Sequence, residues 1–122
     1  NYVRDLFSHL YFFLFSYIIM DKKLKFINRK EAVFMEEIKV KYFKEGKLMT
    51  IPKKEKNKIP VLQLVLQMLK EKSLEFTEKE LNEAIKEIYP DYSLIRRYLV
   101  DYKFLERDNY GKMYKIVEKK NE

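Results

Sequence analysis

Between Thr77 and Tyr102 the hydrophobic positions repeat with a helical period, broken once by a proline, and beyond Tyr102 they fall in short strand-like runs. Leu81, Ala84, Ile85 and Ile88 stand at i, i+3, i+4 and i+7, one stripe of a 3.6-residue period. Thr77 and Glu80 have the spacing of a capping box, in which hydroxyl and carboxylate satisfy two orphan backbone donors. A helix is therefore predicted to begin at Thr77. Pro90 ends it, because the residue before a proline is pushed out of the α region. Asp91 can cap a second helix carrying the stripe Leu94, Ile95, Tyr98, Leu99 and Tyr102. The turn between the two helices is very short.

After Tyr102 come Phe104 to Arg107, the turn formers Asp108-Asn109-Tyr110-Gly111, and then Met113 to Val117, which reads as strand, turn, strand. Ahead of Thr77, Val61 to Lys70 is apolar nearly all round and reads as the buried first helix of a three-helix core, with Pro60 at its first position. Ser73 to Phe76 is an extended linker, placed to form a small strand against the hairpin. The predicted fold class is α+β, mostly α: a winged helix-turn-helix with a three-helix core, a C-terminal β-hairpin and an N-terminal helical extension. The predicted divisions are an apolar helical extension over residues 1–37, a basic arm and turn over 38–58, and the winged-helix-like domain over 59–122.

The extension holds the most apolar run, Leu6 to Met20, interrupted only by Ser8, His9 and Ser16. As a helix it would span about 22 Å, short of the roughly 30 Å hydrocarbon core of a bilayer. It has neither a strong basic n-region nor a small-residue cleavage site. The expectation is a helix that packs on the domain or on a second copy, giving a homodimer through the N-terminal helices. Membrane attachment and a later start at Met20 or Met35 are the alternatives. A further helix is predicted from about Arg29 to Phe43, followed by a turn at Lys44-Glu45-Gly46-Lys47 in which Gly46 takes a positive φ. Leu48 to Ile51 is read as a short strand or extended arm.

Charge sharpens this layout. The chain of 122 residues has a formal net charge of +7. Residues 39–58 hold eight basic against two acidic groups, whereas residues 71–102, the two-helix stretch, hold five against eight. A basic balance favours a polyanionic partner, but here it lies mainly outside the helix-turn-helix. With no cysteine there is no disulfide framework or thiolate metal site, and a reducing cytoplasm is the expected location. One histidine, His9, and two glycines, Gly46 and Gly111, leave no nucleophile-and-base pair, metal cluster or phosphate-cradling loop to point to. No catalytic residue, cofactor, metal or small-molecule ligand is predicted.

Several runs together carry a family resemblance: Gly46-Lys47-Leu48, Ile51-Pro52-Lys53-Lys54, the apolar helix Val61 to Leu69, Phe76 to Asn82, Asp91, Leu94 to Asp101, Leu105-Glu106-Arg107, and Gly111 with Tyr114. In order and spacing they resemble the bacterial domain-of-unknown-function family numbered 2087, found alone or joined to ArsR-type helix-turn-helix transcriptional regulators. The resemblance covers Phe43 to Tyr114, and residues 1–37 have no counterpart in it. It implies a small winged-helix-like α+β domain and a link to transcriptional regulation. It implies no reaction.

On the second helix, Ser93, Arg96, Arg97 and Val100 lie opposite the apolar stripe, where a recognition helix would face DNA. Arg can pair with guanine, Ser with phosphate, and Val with a thymine methyl. Arg107, Lys112 and Lys115 of the hairpin, with Lys53, Lys54 and Lys56 of the arm, are the candidate phosphate contacts. The bland alternative pairs Arg97 with Asp101 and Arg96 with Glu78 or Glu80, and has Asn82 bonding turn or hairpin backbone. The expected function is a DNA-binding transcriptional regulator; the alternative is a protein-interaction or sensory accessory module that does not touch DNA, with RNA binding third.

Overall fold

A computed structural model of the chain describes residues 29–118. The chain divides into two compact units at residues 34 and 35, and the fold below is that of the second. In order the described residues form helix α1 (Arg29–Tyr42), which begins ahead of that division, strands β1 (Phe43–Lys44) and β2 (Lys47–Leu48), helix α2 (Glu55–Lys70), strand β3 (Glu75–Thr77), helices α3 (Glu78–Lys86) and α4 (Tyr92–Asp101), and strands β4 (Leu105–Arg107) and β5 (Met113–Ile116). It is an α+β fold, mostly helical, with small antiparallel sheets. No helix among the described residues is long and apolar enough to cross a membrane. The apolar run Leu6 to Met20, and with it the expected dimer contact, lies outside the described residues.

Local chemistry sets most element boundaries. The capping box is formed: Glu80 N–H donates to Thr77 Oγ1 at 3.1 Å and Thr77 N–H donates to Glu80 Oε1 at 3.0 Å. At α4, Asp91 Oδ1 accepts from Leu94 N–H at 3.2 Å. Gly46 closes the β1–β2 turn at φ +76°, with Glu45 at +53° beside it. Glycine enters that left-handed region freely, whereas a Cβ opposes it. The turn thus follows the expectation; of the two readings of Leu48 to Ile51, a short strand or an arm, the strand takes only Lys47–Leu48, and Met49 to Ile51 lie outside helix and strand. Met49 N–H still donates across the hairpin to Tyr42 O at 2.8 Å, while Leu48 N–H points away from β1 and donates to Ile88 O, 2.9 Å away just past α3.

The linker before Thr77 does become a strand. β3 pairs antiparallel with β5, placing Phe76 opposite Tyr114, and β5 pairs with β4, placing Leu105 opposite Ile116. The sheet order is therefore β3-β5-β4. Its inner residues Phe76, Leu105, Tyr114 and Ile116 are buried with Val61, Leu62, Val65 and Leu69 of α2, Leu81 and Ile85 of α3, and Ile95 and Leu99 of α4. This single core fixes the angle at which α4 and the hairpin emerge.

One helix boundary differs from expectation. Helix α2 begins at Glu55, five residues before Pro60, so Lys56 and Lys58 are helical and not part of an extended arm. Proline inside a helix removes one i→i−4 bond and crowds the preceding turn. Here that cost is offset by tertiary ties: Pro60 is buried, Tyr102 Oη donates to Glu55 Oε1 at 3.0 Å, and Lys58 Nζ lies 4.8 Å from the centre of the Tyr98 ring. At the other end of α4, Lys103 takes φ +63°, and the N–H groups of Lys103 and Phe104 donate to Val100 O and Leu99 O. That is a Schellman closure made without glycine.

Candidate nucleic-acid interface

α4 carries four of the residues singled out in the sequence, Ser93, Arg96, Arg97 and Val100, and two depressions border it. The first, about 560 Å³, is lined by Asp91, Ser93, Leu94, Arg96, Arg97, Val100, Asp101, Arg107 and Tyr114. It brings together all four outward residues of α4 and joins them to the root of the β4–β5 hairpin. Lys112 and Lys115 line neither depression; Lys115 Nζ lies 3.5 Å from Glu75 Oε1, its partner across β3 and β5.

The two arginines at the centre have different settings. Arg97 is exposed and makes no ion pair among the described residues; the alternative link to Asp101 is not formed. An exposed pair of that kind gains too little to hold two long side chains in one geometry. Arg96 instead reaches back to α3, where its Nη1 donates to Asn82 Oδ1 and lies 3.3 Å from Glu78 Oε1. Its side chain is 22 % exposed. Asn82 therefore meets a side chain of α4 and not the turn or hairpin backbone anticipated for it. A helical wheel puts Arg96 on the outer face, but a long guanidinium stem can fold back over that face.

Arg107 is positioned by the hairpin turn. A Cβ on Gly111 would stand 3.5 Å from Arg107 Cζ, so the guanidinium lies against the glycine. The turn itself is tied by Gly111 N–H to Asp108 O at 3.2 Å, Asp108 N–H to Met113 O at 3.0 Å, and Lys112 N–H to Asp108 Oδ1 at 2.8 Å. The Lys112 amide holds the Asp108 carboxyl below the usual carboxylate range. Tyr110 projects from the tip, 84 % exposed.

A second depression, about 340 Å³, lies on the other flank of α4 and shares Leu94 with the first. It is lined by Thr50, Ile51, Pro52, Lys53, Lys58, Tyr89, Leu94 and Tyr98. Of the arm lysines named from the sequence, Lys53 borders it, while Lys54 sits at the extended N-cap of α2 and Lys56 in its first turn. Tyr89 and Tyr98 were not singled out for function in the sequence, because Tyr98 reads as core stripe; Lys58 closes the lysine arm read there as a source of phosphate contacts. Tyr102, the C-cap of α4, is half-buried, and that desolvation, then its bond to Glu55, pushes its phenol up from the ordinary value.

Fold and site together define a small α+β domain in which α4, with Arg96 and Arg97, is set between two depressions. Residues 47–116, over half of the chain, match the family described as uncharacterised protein conserved in bacteria (DUF2087), and the chain belongs to that family. We found no matching curated protein and no matching solved structure.

Proposed function

We propose that this domain is a winged helix that binds duplex DNA as a non-catalytic transcriptional regulator, with α4 as the recognition helix and the β4–β5 hairpin as the wing. The reading rests on one observation: Ser93, Arg97 and Val100 share an open depression with Arg107 of the hairpin root. Helix α4 would enter the major groove, where Arg97 and Ser93 meet base edges or phosphates, and Arg107 and Lys112 would meet backbone. The order of α2, β3, α3, α4 and the hairpin supports the winged-helix assignment.

A second reading has its own support. Arg96 is occupied by Glu78 and Asn82, and Asp91 and Asp101 stand in the same depression, which lowers its positive potential. On that reading the domain is an interaction or sensory module that leaves DNA alone. Titration of the chain against random and genomic duplexes over a range of salt separates the two. Binding that weakens steeply with salt supports the first, because phosphate contacts release counterions. Flat titrations at low ionic strength, with a stable protein partner recovered, support the second.

A further inference from the structure

The depression on the α2 side of α4 differs in chemistry from the one on the hairpin side. Its lining contains Lys53 and Lys58 and no carboxylate, with the hydroxyl-bearing Thr50, Tyr89 and Tyr98 around them. The hairpin-side depression has three arginines against Asp91 and Asp101, and one of those arginines is already paired with Glu78. With Arg96 set aside, its remaining charges balance. The surface best suited to a phosphate is therefore the α2-side depression.

Its geometry also suits a particular polyanion. Leu94 borders both depressions, so α4 is the ridge between them. A helix with its side chains is about 10–12 Å across, and the major groove of B-DNA is about 12 Å wide. A helix seated in that groove has a phosphate rim on each flank. We infer that the Lys53–Lys58 depression is a second phosphate-contact site, which holds one backbone rim of a duplex while the hairpin side holds the other. This rests on the DNA-binding reading above. Lys58 is already steered to the site by the Tyr98 ring beneath its ammonium, and the buried Pro52 fixes the chain next to Lys53. Each lysine contributes charge to the contact and no base discrimination.

The test compares three proteins on random-sequence and genomic duplexes across a salt series: the unaltered chain, Lys53→Ala with Lys58→Ala, and Arg97→Ala with Arg107→Ala. The lysine variant is expected to bind roughly tenfold or more weakly at 0.1 M salt, with its log–log salt slope reduced by about 2. Sequence preference among duplexes should survive in it. If the slope of the lysine variant equals that of the unaltered chain while the arginine variant binds less, DNA is bound but not through this depression, and the inference falls alone. If the unaltered chain does not bind at low salt, both readings fall. Capture of labelled polyglutamate with flat duplex titrations puts an acidic protein surface here and overturns the inference. Should loss of the Lys58–Tyr98 contact unfold the double variant, Lys53→Glu alone decides. Lys53 makes no ion pair among the described residues, and its reversal should weaken binding by at least as much as one lost lysine contact.

Discussion

The Arg96 guanidinium, on the outward face of α4, is bound to the side-chain oxygen of Asn82 on α3. It also stands 3.3 Å from Glu78, in the first turn of that helix. One arginine thus clamps two consecutive helices across the Pro90 turn. Charge-assisted bonds in partly buried settings contribute roughly 1.5–3 kcal/mol, and losing one partner leaves the other unsatisfied.

Arg96→Ala is expected to lower unfolding free energy by about 1.5–3 kcal/mol in urea denaturation, while Arg97→Ala, exposed and unpaired, should stay within about 0.5 kcal/mol of the unaltered chain. A double-mutant cycle of Arg96→Ala with Asn82→Ala should show a coupling of roughly 0.5–3 kcal/mol. Purely additive losses would show that the clamp contributes nothing. On the proposed DNA-binding reading the same pair separates stability from function, since Arg97→Ala should then weaken duplex binding in a fully folded protein.

Lys103 holds the left-handed position that ends α4, at φ +63°. An L side chain is disfavoured there by about 1–2 kcal/mol, part of which glycine returns through its freer unfolded chain. Lys103→Gly should therefore raise stability by roughly 0.5–1 kcal/mol, read as an upward shift of Tm. By the same argument Gly46→Ala should destabilise although no atom lies within 4 Å of the added methyl, because the cost is backbone conformation and not space.

Removing the cap of α3 with Thr77→Ala should cost about 1 kcal/mol. Thermal melts would show it, and Thr77→Ser should recover most of the loss because the accepting hydroxyl is kept.

The acid limb of stability should report two carboxylates. Glu80 is held below its ordinary value first by the Thr77 amide, and Asp108 first by the Lys112 amide. A carboxyl depressed in the folded state contributes stability that is complete above its unfolded value of roughly 4 and is lost as pH falls through the folded one. Stability should thus decline on acidification below about pH 4. Glu80→Gln and Asp108→Asn should each flatten that decline, as measured by urea midpoints from pH 6 to pH 2.5.

Truncation in the shared core should be felt most. Leu99 is fully buried, facing the helices and sheet that orient α4. Leu99→Ala should cost about 2–5 kcal/mol, with a chemical-denaturation midpoint far below that of Leu74→Ala, whose side chain is half exposed.

How much of this was written in the chain depends on the range of the interaction. The Thr77–Glu80 cap, the Asp91 cap, the glycine turn at Gly46 and the Asp108–Gly111 hairpin each join residues within a few positions of one another. Spacing alone therefore determined them, and with them the order of elements from α2 to β5. Pro60 misled because a local rule places a boundary there, while its burial and the ties of Glu55 to Tyr102 and Lys58 to Tyr98 come from 40 or more positions away. The candidate site divided in the same way. Periodicity put Ser93, Arg96, Arg97 and Val100 on one face, but only packing of α4 on α3 turned Arg96 inward. Only the approach of α2 to α4 made a carboxylate-free depression of Lys53, Lys58 and Tyr98. Long flexible side chains have many rotamers of similar energy, and which one is kept is decided by neighbours that tertiary folding supplies.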